Sequence, residues 1–161
     1  MNELILARLR ERLRPGAVVE TSDAHGELTV VLAPDVIAAA CLLLRDEPDL
    51  AFTSLRDICG ADYNRPGERF EVVYNIYSLR NKFRIRLKVR LSADDPHVAT
   101  VTGVWPAANW AERETYDMYG IRFDGHPDLR RIYMPDDFDY HPLRKDFPLM
   151  GIPGSLSLPR K

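Results

Sequence analysis

The sequence predicts an α+β fold: a mostly antiparallel sheet with helices packed on one face, followed by an extended C-terminal tail. Two patterns predict the folded part. Helical and strand periodicities alternate along the chain, and KFRIRLKVRL keeps a strict period of two, with Phe83, Ile85, Leu87, Val89 and Leu91 on one face and Lys82, Arg84, Arg86, Lys88 and Arg90 on the other. The tail is predicted by a third observation: after Ile121 regular periodicity ends in a stretch dense in proline and charge. The expected division is an α+β domain over residues 1–121 and an extended, proline-rich charged tail over 122–161 that docks on partner subunits.

The elements follow in order. Leu4, Ile5, Leu9 and Leu13 recur at helical spacing until Pro15-Gly16 stops them, giving a first amphipathic helix. AVVE and ELTVVLA read as strands joined around Asp23 to Gly26. PDVIAAACLLLRDEP opens with proline at a helix-start position and is apolar on nearly all sides, as a well-buried helix would be. FTSLRDICGADY reads as a strand running into a turn, NRPGE as a loop, and RFEVVYNIYSL with KFRIRLKVRL as a hairpin turning near Arg80 and Asn81. From VWPAANWAERETYDMYG the period becomes helical, with Trp110, Ala111 and Met118 expected on one side and Gly120 as the stop.

Composition narrows the function classes. At 161 residues, 45% hydrophobic and 29% charged, the chain is one domain's worth of ordinary globular protein. A net charge of -2 gives no global pull toward nucleic acid or anionic lipid. Cys41 and Cys59 are far apart, without a C-x-x-C or a histidine at ligand spacing, and are expected as buried thiols of an intracellular protein. MNELILARLRERL lacks the uninterrupted apolar core of a secretory signal, and the longest apolar run, VIAAACLLL, is about half of the ~20 residues a bilayer needs, so no direct membrane insertion is expected.

The stretch ERETYDMYGIRFDGHPDLRR crowds acids, bases, a histidine and aromatic rings together. His126 and His141 lack metal-ligand spacing, each preceding a proline. Glu112 or Glu114 with His126 would need a nucleophile or paired carboxylate, and neither a G-x-S-x-G elbow nor a glycine-rich phosphate loop is present. Arg113 and Asp117 stand at i,i+4 and are expected to pair on the helix. The basic strand face is open to three readings: a solvated face, a surface for an acidic protein, or a nucleic-acid platform, the last lacking aromatic stacking residues on that face. HPDLRRIYMP and HPLRKDFP each contain a histidine–proline, a leucine and a basic pair, and such aperiodic segments are expected to lie on another surface. The expected docking residues are Arg130, Arg131, His141, Pro142, Leu143, Arg144, Lys145 and Asp146.

The same stretch resembles the signature of the 30 kDa subunit, or C subunit, of respiratory complex I, the proton-pumping NADH:quinone oxidoreductase. The matching positions are Glu112, Arg113 and Glu114, then Asp117, Met118 and Tyr119, then His126, Arg130, Ile132 and Tyr133. The likeness runs through VWPAANWAERETYDMYGIRFDGHPDLRRIYMP to HPLRKDFP and more weakly back through ADYNRPGERFEVVYNIYSL. Phe138 stands where relatives often have tryptophan, and Tyr119 where phenylalanine or leucine is common. The resemblance implies a chain with no catalytic, cofactor-binding or metal residues of its own, the FMN, iron–sulfur clusters and quinone belonging to the rest of the complex. It further implies a peripheral seat in the hydrophilic arm, on the cytoplasmic side of a bacterial plasma membrane. The implied partners are the quinone-site 49 kDa or D subunit and neighbouring iron–sulfur subunits, with no nucleic acid.

Overall fold

The computed structural model describes residues 1–148; the part of the expected tail beyond residue 148 lies outside the described residues. The first amphipathic segment forms α1 (Asn2–Arg12), which buries Ile5 and Leu9. Strands β1 (Val18–Ala24) and β2 (Glu27–Leu32) follow as an antiparallel hairpin. Its two-residue turn puts His25 and Gly26 both at positive φ, 54° and 73°, the geometry whose twist matches the flanking strands. A short turn of 3-10 helix over Pro34–Val36 leads into α2 (Ile37–Asp46), which buries Ile37, Ala40, Cys41 and Leu44.

Three long strands come next: β3 (Ser54–Asp62), β4 (Phe70–Ser78) and β5 (Phe83–Leu91). They pair antiparallel in sequence order, and β5 then runs parallel to β2, completing a five-stranded sheet of order β1-β2-β5-β4-β3. The register explains the core. Leu28, Val30 and Leu32 lie opposite Ile85, Leu87 and Val89, which lie in turn opposite Ile76, Tyr74 and Val72. All these side chains are buried on the face that carries the helices. Removing each large apolar side chain from water contributes about 1.5–3 kcal/mol, so this face supplies most of the driving force for folding.

The last helix, α3 (Ala108–Tyr119), ends at Gly120 with φ 72°, the left-handed cap that the sequence suggests. It packs over β3, where Gly60 makes room: a Cβ there would come within 2.6 Å of the Tyr119 ring and 3.1 Å of Thr115 Cγ2. The buried side chains of α3 are Ala108, Glu112, Arg113, Thr115 and Asp117, while Trp110 is exposed. Of the expected apolar face, Ala111 packs against the core and Met118 is half-buried, but Trp110 points outward, and the fully buried positions of this helix are mainly polar. Cys59 is likewise exposed, on the outer face of β3, whereas Cys41 is buried; both are free thiols.

The boundary expected after residue 121 does not divide the molecule. A parallel pair of short strands, β6 (His97–Ala99) and β7 (Arg122–Asp124), brings the start of the expected tail back into the domain, with Phe123 buried in the main core. Residues 125–148 run without regular structure along α3 and the end of β3.

Candidate functional site

Polar side chains on α3 organise the segments around it. Glu112 is fully buried; its carboxylate accepts the Val101 N–H at 2.7 Å and the Thr100 hydroxyl, so it pins the loop after β6 to the helix. Burial pushes its pKa up to about 7, and the two hydrogen bonds only partly oppose this. His126 lies beside it, Nε2 3.9 Å from a Glu112 oxygen and 3.3 Å from the Asn109 carbonyl. Because His126 Nδ1 accepts the Asp128 N–H at 3.0 Å, the neutral ring carries its proton on Nε2. This pairing of a carboxylate and a histidine is sealed from solvent, both side chains being wholly buried. It is a joint in the interior rather than a cleft for a substrate.

The adjacent residue, Arg113, donates from Nε to the Arg130 carbonyl at 3.0 Å and from Nη2 to the Arg131 carbonyl at 3.3 Å, and it stacks over the Trp110 ring at 4.8 Å. One turn on, Asp117 takes the N–H groups of Ile132, Tyr133 and Met134 on Oδ2 at 3.0, 2.7 and 3.0 Å. Its other oxygen holds Arg131 Nη1 at 2.9 Å. Burial alone would raise the Asp117 pKa, but the three N–H donors and Arg131 outweigh it and hold the carboxyl below its usual range. The expected pairing of Arg113 with Asp117 is not formed: each side chain reaches out to the segment 130–134 instead.

The tail continues along the same helix. His141 donates from Nδ1 to the Asp117 carbonyl at 3.0 Å, the Leu143 N–H reaches the Met118 carbonyl at 3.1 Å, and Arg144 Nε reaches the Tyr119 carbonyl at 2.6 Å. Asp62, at the end of β3, accepts the Lys145 N–H at 2.8 Å and is clamped by Arg69 at 2.6 Å. The Arg69 guanidinium holds the Asp62 carboxyl far below its usual range. Arg69 also pairs with Asp146 at 3.0 Å. Phe138, Tyr140 and Phe147 gather into an aromatic cluster with ring centroids 5.8 to 6.4 Å apart.

Of the expected docking residues, then, Arg131, His141, Arg144 and Asp146 are engaged with their own chain, and Pro142 is half-buried among them. The segment expected to dock on partner subunits lies instead, up to residue 148, on α3 and the sheet of its own molecule. Facing outward are the side chains of Leu143, Lys145 and Arg130, the last paired with Asp128 at 2.9 Å. Glu114 is exposed, Met118 and Tyr119 are half-buried against β3, and Ile132 is half-buried. Tyr133 is 61%, Leu143 51% and Tyr140 46% exposed, an apolar and aromatic set on the outer side of the tail. Sequence reading missed Asp62 and Arg69, whose role depends on a segment far along the chain and carries no local signal.

The basic strand face is also resolved. Lys88 pairs with Glu71 at 2.9 Å, Arg86 with Glu27 at 2.7 Å, Arg84 with Glu27 at 3.2 Å, and Arg90 with Glu20. Acids from β1, β2 and β4 thus flank the cations of β5 across the sheet. Among the described residues no group of three or more histidine, cysteine, aspartate or glutamate side chains could hold a metal ion, and no helix is long and apolar enough to cross a membrane.

Comparison with known proteins places this architecture. Residues 30–153 match the family described as the respiratory-chain NADH dehydrogenase, 30 Kd subunit. The second C subunit of NADH-quinone oxidoreductase from Rhizobium meliloti is 54% identical over 142 residues, covering 88% of this chain and 78% of that one. Among solved structures, a trypsin-resistant fragment of Nqo5 superposes with a TM-score of 0.63 at 37% identity, covering 78% of this chain and 99% of the fragment. A chain of the archaeal membrane-bound sulfane sulfur reductase shares the fold, with a TM-score of 0.74 at 24% identity over 92% of this chain and 85% of that one. The chain belongs to the respiratory-chain NADH dehydrogenase 30 kDa subunit family. It is a subunit of NADH-quinone oxidoreductase, the multi-subunit respiratory complex I.

Proposed function

We propose that this chain is a cofactor-free structural and assembly subunit of the hydrophilic arm of complex I. It holds neighbouring subunits in place while electrons pass from NADH through FMN and iron–sulfur clusters to quinone elsewhere in the complex. Its partners are the quinone-site 49 kDa or D subunit and adjacent iron–sulfur subunits, and its seat is peripheral, on the cytoplasmic side of the bacterial plasma membrane. The observation that carries the reading is the outer side of the tail, where Tyr133, Tyr140 and Leu143 are exposed although their backbone is tied down to α3 and its partner Arg131. Exposed aromatic and apolar groups on a rigid support are what a protein interface uses as anchors. The buried carboxylates of α3 support the same reading, since their hydrogen-bonding capacity is taken up in fixing that support.

The test is made in the complex. Tyr133→Ser with Leu143→Asp should lower the amount of assembled complex recovered from membranes while leaving turnover per assembled complex unchanged. Normal assembly with abolished turnover overturns the proposal, as does a flavin or cluster absorption spectrum from the isolated, properly reconstituted chain.

A further inference from the structure

On the outer face of the sheet, away from the helices, lies a depression of about 570 Å³ whose side chains include Glu27, Arg56, Asn75, Tyr77, Arg84 and Arg86. Elsewhere on this face each cation has an acid near it: Lys88 has Glu71 at 2.9 Å and Arg90 has Glu20. Here three guanidinium groups line the depression and its one carboxylate reaches two of them. Glu27 accepts Arg86 Nη2 at 2.7 Å and Arg84 Nε at 3.2 Å, and Arg56 has no acid within ion-pair distance among the described residues. Counting Asp57 as well, which lies opposite Asn75 on the neighbouring strand, the local balance stays positive.

The three arginines differ in how they are held. Arg86 is fixed, because its Nε also donates to Asn75 Oδ1 at 3.3 Å, whereas the Arg84 side chain is 70% exposed with only Nε engaged. The free edges of Arg84 and Arg56 are thus planar donor pairs at the rim of a depression whose floor is already ordered. A guanidinium edge matches a carboxylate in a two-pronged arrangement. Asn75 and Tyr77 add uncharged hydrogen-bonding groups beside them. Tyr77 is the one aromatic ring lining the depression, too little for a run of stacked bases, and the whole chain carries a net charge of -2, which favours a short acidic protein segment over nucleic acid.

We infer that the Arg56–Arg84–Arg86 depression seats an acidic segment of a neighbouring subunit, a glutamate or aspartate side chain entering between Arg56 and Arg84. This second contact, on the opposite face of the sheet from α3, rests on the assignment of the chain as an assembly subunit. It would let the chain bridge two neighbours, one at the tail and one at the sheet.

The experiment uses purified complex containing Arg84→Lys, treated with a carbodiimide that joins amines directly to carboxylates. An isopeptide bond from the introduced lysine to an aspartate or glutamate of another subunit is expected. In parallel, Arg56→Ala with Arg84→Ala should lower the salt concentration at which this subunit dissociates from the complex at least twofold. A lysine joined only to Glu27, together with an unchanged salt profile, overturns the inference while the chain still sits in the complex. Loss of the assembly role itself reads differently: the chain would then be missing from the purified complex even with both faces unaltered.

Discussion

Asp117 and Arg131 form an interior ion pair that joins α3 to the aperiodic segment behind it: Nη1 and Oδ1 are 2.9 Å apart, with the aspartate side chain wholly buried and the arginine side chain 11% exposed. The same carboxylate receives three successive backbone N–H groups, as an anion-binding turn does. One side chain therefore fixes both the path of residues 131–134 and the outward direction of Tyr133.

Asp117→Ala should be among the most damaging single changes. It leaves a largely buried guanidinium and three N–H groups without their acceptor, a loss of about 3 kcal/mol. Urea unfolding of the isolated chain measures it. A cost below about 1 kcal/mol would mean that water replaces the carboxylate without difficulty. The depressed pKa gives the pH dependence: stability from Asp117 is present above its unfolded pKa and is lost as pH falls through the lower, folded value.

Glu112 has the opposite sign. Its folded pKa, about 7, lies above the ordinary 4.5, so its favourable contribution is complete below 4.5 and is lost as pH rises toward 7. Glu112→Gln removes this dependence and retains groups able to bond Val101 N–H and Thr100. Between pH 5 and pH 8 the variant should gain about 2 to 3 kcal/mol relative to the wild type. Paired urea titrations at the two pH values read the difference, and a constant gap refutes the assignment.

Ending the chain after Met134 should lower the melting temperature of the isolated protein by about 5 °C or more. The segment removed contributes the His141, Leu143, Arg144 and Lys145 hydrogen bonds and the Asp146 pair with Arg69. An unchanged melting curve would show that these contacts merely offset the entropy of ordering the tail.

Gly60→Ala should separate α3 from β3, since the new methyl group would meet Tyr119 and Thr115 well inside contact distance. A loss of about 1–3 kcal/mol is expected. Adding Tyr119→Ala should make the glycine substitution cheaper in that background, because the nearest obstructing atoms belong to the ring. Strict additivity of the two changes would place the strain elsewhere.

How legible these features are in the sequence depends on whether burial is apolar. β5 is legible to the residue, because Ile85, Leu87, Val89 and Leu91 alternate with cations and the buried face follows. Gly120 is legible as a helix stop for a similarly local reason. The face of α3 is not, since hydropathy points Trp110 inward while the structure buries Glu112, Arg113 and Asp117. Their burial becomes favourable only through backbone groups of residues 101 and 130–134, which belong to stretches with no periodicity of their own. The parallel pairing of β2 with β5 is hidden for a different reason: each strand's pattern fits either direction, and only the intervening topology chooses.

That parallel seam has a consequence for how the molecule is made. Every other ladder in the main sheet joins strands adjacent in the chain, so hairpins can close in microseconds once their residues are available. Leu28 must wait for Ile85. At a synthesis rate of about 5–20 residues per second, the emerging β1–β2 hairpin spends roughly 3–10 s with its inner edge unpaired. Its Leu28, Val30 and Leu32 side chains are the ones the finished core covers on that strand. The nascent chain is thus most prone to mispairing before β5 leaves the ribosome, and a holding chaperone that binds short apolar strands would act on residues 27–32 in that interval.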